Sequence, residues 1–198
     1  MIRVIKIGGS LLDLDGLQRS FAAWSENEPP ALELIVCGGG KLVDAMRDYD
    51  AVHQFDSADL HWKCVELLRT TSWLFKTLLS VESILDDPIT LKQKVDANRT
   101  LNSQTSRAIV TPPAYYLPGN NICPTNWTTT SDSLAALLAK TVRADELVLC
   151  KSTGDTETYE SPAIKQLQSL VDDLLVDAAF PQVAAGIPCL QMVNLRNS

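Results

Sequence analysis

The 198-residue chain has little of what marks several large classes of protein. It contains two histidines, and its five cysteines are widely spaced with no Cys-x-x-Cys pair, so neither a disulfide framework nor a zinc site is expected. No apolar run approaches the roughly 20 residues that cross a bilayer, and no small-residue cleavage site follows the first apolar segment. These absences favour a cytoplasmic protein with no metal site of its own and no membrane partner.

Positive charge is also scarce. Seventeen Lys and Arg stand against 24 Asp and Glu, which gives a formal charge of −7. Binding to duplex nucleic acid depends on clustered Lys and Arg, and none are visible, so no nucleic-acid partner is expected. Hydrophobic residues make up 45% of the chain, so it can form a real core. If such a chain binds an anion, it must concentrate its few cations locally.

Strand-like apolar runs alternate with helix-like segments. Strands are predicted over residues 3–7, 32–37, 108–111, 146–150 and 187–193, and helices over segments that include 57–79, 134–142 and 165–175. Residues 81–107 are polar and weakly patterned, and residues 151–162 are expected to form a loop. The alternation predicts an α/β fold with a mostly parallel central sheet covered on both faces, in a single domain over residues 1–198.

Lys6 lies inside the first apolar strand, directly before Gly8, Gly9 and Ser10. A buried ammonium is costly unless it meets an anion, and glycines let backbone N–H groups approach a phosphate without a Cβ in the way. Together they describe half of a phosphate-binding site. The alternative is that Lys6 reaches solvent from a strand end while the glycines only turn the chain.

The second predicted strand ends in Gly38, Gly39 and Gly40, and a helix follows. A glycine turn at a helix N-terminus presents unpaired N–H groups and the positive end of the helix dipole, which suits a phosphate or carboxylate. The pattern is not a P-loop, because Leu42 follows Lys41 where that motif needs Ser or Thr. A simple helix-capping turn is the alternative.

Two further segments carry charge at the ends of predicted elements. Asp132 lies in the first turn of the helix that begins after Thr128, where it either stabilises the helix dipole or orients lysine ammonium groups around a phosphoryl group. The strand over residues 147–150 ends in Lys151, Ser152 and Thr153, at the edge where open α/β sheets bind ligands. Lys151 is alternatively an ordinary exposed residue of a loop.

In order and spacing, these segments resemble the amino acid kinase family, which includes aspartate, glutamate and uridylate kinases. The matching segments are Val4 to Ser10, Ile35 to Gly40, residues 130–136, and Leu147 to Lys151, and the resemblance covers residues 1 to about 155. His61-Trp62-Lys63 and the segment from Trp127 to Ser133 are most similar to a short subgroup that includes the aminomethylfuran phosphate kinase of methanofuran biosynthesis.

The resemblance implies a three-layer α/β/α sandwich and an ATP-dependent phosphoryl transfer with Mg²⁺. The acceptor would be a small molecule that carries a phosphate or a carboxylate. Residues 1–125 would form the acceptor half and residues 126–198 a reduced nucleotide half. By position, the resemblance implies catalytic roles for Lys6 and Asp132, cofactor binding by Gly8, Gly9, Ser10, Lys151, Ser152 and Thr153, and substrate binding by Gly38, Gly39, Gly40 and Ser131.

The chain departs from the family on its carboxyl side. Larger members carry a second phosphoryl-facing lysine there, whereas residues 172–181 contain no lysine. Either Lys151 or Lys165 substitutes for the missing cation, or ATP binding is weak or lost. The second possibility predicts a non-catalytic ligand-binding or assembly protein with the kinase fold. The apolar helix from Trp62 to Leu79 is interpreted as a buried core helix, with the contact face of a homo-oligomer as the alternative.

Overall fold

The computed structural model describes residues 1–98, 104–119 and 121–196. Its centre is a seven-stranded sheet. The strands are β1 (Ile2–Ile7), β2 (Leu32–Cys37), β3 (Ile84–Leu85), β4 (Ser106–Val110), β5 (Glu146–Lys151), β6 (Glu157–Glu160) and β7 (Cys189–Asn194). Their order in the sheet is β3-β4-β2-β1-β5-β7-β6. Neighbouring strands are parallel except β6, which pairs antiparallel with β7 at one edge.

Helices cover both faces of this sheet, so the predicted three-layer α/β/α sandwich is confirmed. The helices are α1 (Leu17–Glu26), α2 (Gly40–His53), α3 (Ser57–Leu78), α4 (Pro88–Asn98), α5 (Ser131–Val142), α6 (Ile164–Asp172) and α7 (Phe180–Ala184). Leu34 and Leu147 pack on the face that α5 covers, whereas Ile35 and Val148 pack on the face that α1 covers. Every residue of β1 and β2 is buried, as expected for parallel strands that are covered on both sides.

The strand register brings the chemistry-bearing segments to one edge of the sheet. In β1, Lys6 lies beside Val36 of β2 and Leu149 of β5. The chain segments that leave the carboxyl ends of these three central strands therefore lie side by side. They are the glycines after β1, the glycines after β2, and Lys151 with the loop that follows it.

Two segments without a clear sequence pattern contain regular structure. The weakly patterned residues 81–107 contain β3, α4 and the start of β4, with residues 99–103 outside the described ranges. The prediction of a loop over residues 151–162 was wrong in part, because these residues contain β6. Neither segment has a wide buried face: α4 buries only Leu91 and Val95, and the side chains of β6 are mostly exposed. Such elements lack the apolar periodicity on which the predictions relied.

The two interpretations of α3 describe different sides of that helix. Val65, Leu68 and Phe75 are buried against the sheet, which agrees with a core helix. On the outer side Trp73 is 60% exposed and Leu78 is 44% exposed. Contact between this outer side and a second copy of the chain stays a prediction. Within the described ranges, no helix is long and apolar enough to cross a membrane.

Candidate active site

The two glycine turns touch each other at the carboxyl edge of the sheet. A Cβ atom added to Gly9 would lie 2.0 Å from the backbone nitrogen of Gly40, and one added to Gly38 would lie 2.4 Å from the backbone nitrogen of Gly9. Gly40 also has a φ of +53°, which side-chain-bearing residues rarely adopt. Only glycine therefore permits this approach, which brings the turn after β1 against the N-terminus of α2.

A buried group of three charges lies next to these turns. Lys6 Nζ is 2.9 Å from Asp132 Oδ1, and Lys151 Nζ donates to both carboxylate oxygens of Asp132 at 2.8 Å. The side chains of Lys6 and Asp132 are 7% exposed, and that of Lys151 is 13% exposed. A Cβ on Gly8 would lie 3.8 Å from Lys6 Nζ, so the first lysine points to its own glycine turn. Lys6 does not reach bulk solvent, which removes the alternative in which it does.

The protonation of this group follows from its burial and its mixed charges. Burial alone would raise the pKa of Asp132, but Lys151 and Lys6 outweigh it and lower that pKa to about 2. Burial and the neighbouring Lys6 lower the pKa of Lys151 to about 8, against the attraction of Asp132. Two cations share one carboxylate, so the group carries a net positive charge that a phosphate can neutralise.

Helix α5 presents Asp132 through caps at its N-terminus. The hydroxyl of Thr130 accepts a hydrogen bond from the backbone nitrogen of Asp132 at 3.4 Å. The carboxylate of Asp177 accepts from the backbone nitrogen and hydroxyl of Thr130 and from the backbone nitrogen and hydroxyl of Ser133. Burial and the nearby Asp132 raise the pKa of Asp177. Sequence reasoning missed Asp177, because nothing in its own segment indicates a partner more than 40 residues away.

A cavity of about 250 Å³ lies on one side of the glycine turns. Its apolar wall consists of Leu60, Val65 and Leu68 of α3 with Val43 and Leu134. The polar groups on it come from the glycine turns, from α2, from α3, and from the chain between residues 126 and 131, and they include Arg47, His61, Asn126 and Ser131. Such a cavity suits a small ligand with an apolar body and an anionic group.

An open groove of about 700 Å³ lies on the other side, where Asp132 and Lys151 face the segment from Leu174 to Ala178. Arg47, Asn126, Trp127 and Thr130 line both the cavity and the groove. The two spaces therefore meet at these four residues, beside the buried charges. Such a junction can hold two ligands whose reacting atoms face each other.

The predicted site residues divide between these spaces. Those that line the cavity are Gly9, Ser10, Gly38, Gly39, Gly40 and Ser131, and those that line the groove are Asp132 and Lys151. Lys6, Gly8, Ser152 and Thr153 line neither space, although Lys6 is bonded to Asp132, which lines the groove. Ser152 still belongs to the same edge, because its hydroxyl lies 2.9 Å from that of Ser10.

His61 is buried, although a single histidine near the start of a helix is more often an exposed residue. Its Nε2 lies 2.9 Å from the hydroxyl of Tyr116, and its ring lines the cavity. Burial lowers the pKa of His61, while a backbone hydrogen bond with Asn126 opposes that shift. Trp62 stacks on Tyr116 with ring centroids 4.8 Å apart and meets the ring of His61 edge-on at 5.3 Å, so the three rings pack together. The burial arises from the fold around α3 and could not be read from one histidine in the sequence.

The charge and the backbone of the site suit the phosphates of a nucleotide. Two ammonium groups and a pair of glycine turns provide the positive charge and the close backbone approach that phosphates need. The described ranges contain no cluster of three or more His, Cys, Asp or Glu that could hold a metal. Mg²⁺ commonly binds through phosphate oxygens with one or two carboxylates, so a magnesium–nucleotide complex requires no such cluster.

The model of the amino acid kinase family matches residues 1–154. The chain is similar in structure to the uridylate kinase from Archaeoglobus fulgidus, with a TM-score of 0.64, 15% identity, and coverage of 100% of this chain and 93% of that one. It is also similar to the UMP kinase from Ureaplasma parvum, with a TM-score of 0.65, 15% identity, and coverage of 99% of this chain and 90% of that one. For the aspartate kinase from Synechocystis the TM-score is 0.60 and the identity 11%, with coverage of 98% of this chain and 40% of that one. Among curated proteins, none matches the sequence significantly.

Proposed function

Because the chain belongs to the amino acid kinase family, we propose that it is a phosphotransferase that moves a phosphoryl group from ATP to a small metabolite. One observation carries the proposal: Lys6 and Lys151 are both bonded to Asp132 beside two glycine turns that are in contact. This is an anion-binding site of fixed geometry, with a cavity on one side and a groove on the other.

Phosphoryl transfer needs alignment and charge neutralisation more than a covalent nucleophile. MgATP, when bound, supplies the phosphoryl group. Lys6 and Lys151 neutralise the charge on the phosphoryl oxygens, and Asp132 holds the two ammonium groups together against their mutual repulsion. Backbone N–H groups of Gly9 and Ser10 hold the nucleotide phosphates, with Ser152 and Thr153 beside them. The N–H of Gly8 donates to the carbonyl of Cys150 at 2.9 Å, so Gly8 contributes the close approach of its backbone instead.

The acceptor occupies the cavity in this proposal. Gly38, Gly39, Gly40 and Ser131 hold its phosphate or carboxylate, and the apolar wall of α3 packs against its body. An acceptor of the aminomethylfuran phosphate type, from the biosynthesis of a one-carbon cofactor, has the required combination of a small ring and a phosphate. The likeness to the short kinase subgroup supports this choice, and with it a diphosphate product and a cytoplasmic location.

The test is Lys6→Ala, with Lys165→Ala as the matched control because Lys165 is exposed on α6 and lines neither space. Calorimetry measures MgATP binding, and ADP release is followed with a panel of small phosphomonoesters and carboxylates. Lys6→Ala is expected to lower turnover by about 10²–10³-fold, the range for the loss of one charge-stabilising group. Unchanged turnover in Lys6→Ala, or an equal loss in Lys165→Ala, contradicts the proposal.

A second candidate is a non-catalytic ligand-binding or assembly protein. One observation favours it: residues 172–181 border the groove without providing a lysine, and Lys165 lies outside the groove. Wild-type protein that binds phosphomonoesters in the cavity but not MgATP would support this candidate. Tight MgATP binding would count against it.

A further inference from the structure

Arg47 occupies a position that no sequence motif indicated. It lies on α2, a helix with no buried residue, and its side chain is half exposed. In the part of the chain that the structure describes, Arg47 is the one Lys or Arg that lines both the cavity and the groove. A group at that junction can contact both ligands of a transfer reaction.

The guanidinium of Arg47 lies over the ring of Trp127, which is itself held by a hydrogen bond. Its central carbon lies 4.7 Å from the centre of the Trp127 ring, and Trp127 Nε1 donates to Asp50 Oδ2 at 2.7 Å. A cation–π contact with the ring uses none of the five N–H donors of the guanidinium. Arg47 Nη1 forms an exposed ion pair with Asp44 Oδ1 at 3.6 Å, a distance too long for a hydrogen bond. Among the described residues none accepts a hydrogen bond from this guanidinium, so its donors remain available to a ligand.

The negative charge of the two expected ligands exceeds the positive charge of the buried group, so a further cation would stabilise their binding. Lys6 and Lys151 share Asp132, so the three groups provide one net positive charge, while a nucleotide and an anionic acceptor bring several negative charges. Lys165 is exposed and outside the groove, so it does not substitute for the lysine that residues 172–181 lack. Arg47 is the remaining cation that borders the groove.

We propose that Arg47, positioned over the ring of Trp127, binds phosphate oxygens at the junction and supplies the positive charge that the carboxyl-side segment lacks. Arg47 is thus a ligand-contacting residue, and Trp127 is a positioning residue that acts through it. This inference rests on the proposed phosphotransferase function. It adds that the acceptor half of the chain completes the phosphate site of the reduced nucleotide half.

The experiment measures binding by calorimetry with two probes. MgATP reports on the nucleotide phosphates, and inorganic phosphate, titrated with and without the non-hydrolysable analogue MgAMP-PNP, reports on the acceptor side. Arg47→Gln removes the charge, and Arg47→Lys restores the charge without the planar donor set. Arg69→Gln is the matched control, since Arg69 is a similarly exposed arginine on α3 that pairs with Asp86 and lines neither space.

Arg47→Gln is expected to lower the affinity for the probe that Arg47 contacts by about 10- to 100-fold, as for the loss of hydrogen bonds from a charged donor. Arg47→Lys recovers part of this loss, and Arg69→Gln binds as the wild type does. Trp127→Phe keeps a ring face but loses the bond to Asp50, so its affinity falls between those of the wild type and Arg47→Gln. A loss confined to MgATP assigns Arg47 to the nucleotide phosphate, and a loss confined to inorganic phosphate assigns it to the acceptor.

Wild-type affinity of Arg47→Gln for both probes overturns the inference and leaves the proposed function intact. Wild-type protein that binds inorganic phosphate through Arg47 but not MgATP overturns the phosphotransferase proposal instead. If the wild type binds neither probe, both proposals are wrong. A loss in Trp127→Phe as large as that in Arg47→Gln, with no recovery in Arg47→Lys, also contradicts the role of Arg47, because the effect would then follow the ring rather than the charge.

Discussion

Lys151 shows how one residue can serve the site and oppose the stability of the fold. Its ammonium shares the carboxylate of Asp132 with the second cation, Lys6. The pKa of Lys151 is lowered to about 8, mainly by burial. The unfolded chain keeps this lysine protonated up to about pH 10.4. Between these two values the unfolded state binds more protons, so the contribution of Lys151 to the free energy of unfolding rises with pH. Its charge, on which phosphate binding depends, is lost over the same interval.

This opposition predicts an alkaline limit to ligand binding. The affinity of the wild type for MgATP is expected to fall above about pH 8, where Lys151 loses its proton. Lys151→Arg keeps its charge throughout and is expected to retain affinity to at least about pH 9.5, because an arginine is not deprotonated in proteins. Calorimetric titrations between pH 6.5 and 9.5 measure the effect, with Lys165→Arg as the control. A decline in Lys151→Arg that parallels the wild type would show that another group titrates.

Single residues also show which contacts a sequence can predict. Lys6, Asp132 and Lys151 were recognisable because a charge inside or at the end of an apolar strand, or at a helix start, is locally conspicuous. Their mutual contacts at 2.8–2.9 Å agree with the predicted convergence at the sheet edge. Arg47 and Asp177 carry no such local signal. In the sequence each is one charged residue among many. Only the fold places Arg47 over Trp127 and Asp177 at the start of α5.

At the scale of elements, the site depends on two turns that approach too closely for any side chain. The structure predicts that Gly9→Ala separates the turn after β1 from the start of α2, because the new Cβ would lie 2.0 Å from the backbone nitrogen of Gly40. The overpacking is expected to lower the free energy of unfolding by about 1–3 kcal/mol. It should also abolish MgATP binding in the protein that remains folded.

Gly186→Ala is the control that measures the general loss of stability when a glycine is replaced outside the two turns. Gly186 has a φ of +83°, but nothing lies within 4 Å of its added Cβ, so only backbone strain of about 1 kcal/mol is expected. Urea unfolding and calorimetry on both variants provide the comparison. Equal MgATP binding in Gly9→Ala and Gly186→Ala would mean that the contact between the turns is not needed.

The elements recovered from the sequence are those with a full buried face. β1, β2 and β5 are mostly apolar runs that are buried along nearly their whole length, and the apolar stripe of α5 was visible from Leu134 to Val142. β6 was missed because an exposed edge strand has no buried face to mark it. Its pairing with β7 depends on backbone hydrogen bonds, which the order of side chains does not reveal.

Over the whole molecule, the two ends of the central strands have different roles. The carboxyl ends carry the candidate site, whereas the amino ends carry a buried ionic network around Arg3. Arg3 Nε lies 2.6 Å from Glu146 Oε2, and its other nitrogens are 3.2 Å from Glu28 and 3.4 Å from Glu33. Arg107 also pairs with Glu33, at 2.6 Å. These contacts join β1, β2, β4 and β5 at the end farthest from the turns.

This separation predicts that stability can be changed without changing ligand affinity. Arg3→Met leaves the carboxylates of Glu28, Glu33 and Glu146 without their shared cation, and breaking a buried pair in this way costs about 3–5 kcal/mol. Lys92→Met is the control, because the pair between Lys92 and Asp96 is exposed and contributes about 0–1 kcal/mol. Urea unfolding should show the first loss and little of the second. The MgATP dissociation constant of folded Arg3→Met is expected to stay within about twofold of the wild type, since the altered charges lie at the opposite ends of the strands and neither Arg3 nor its carboxylate partners line the cavity or the groove. A larger change would mean that the network at the amino ends also sets the geometry of Lys6.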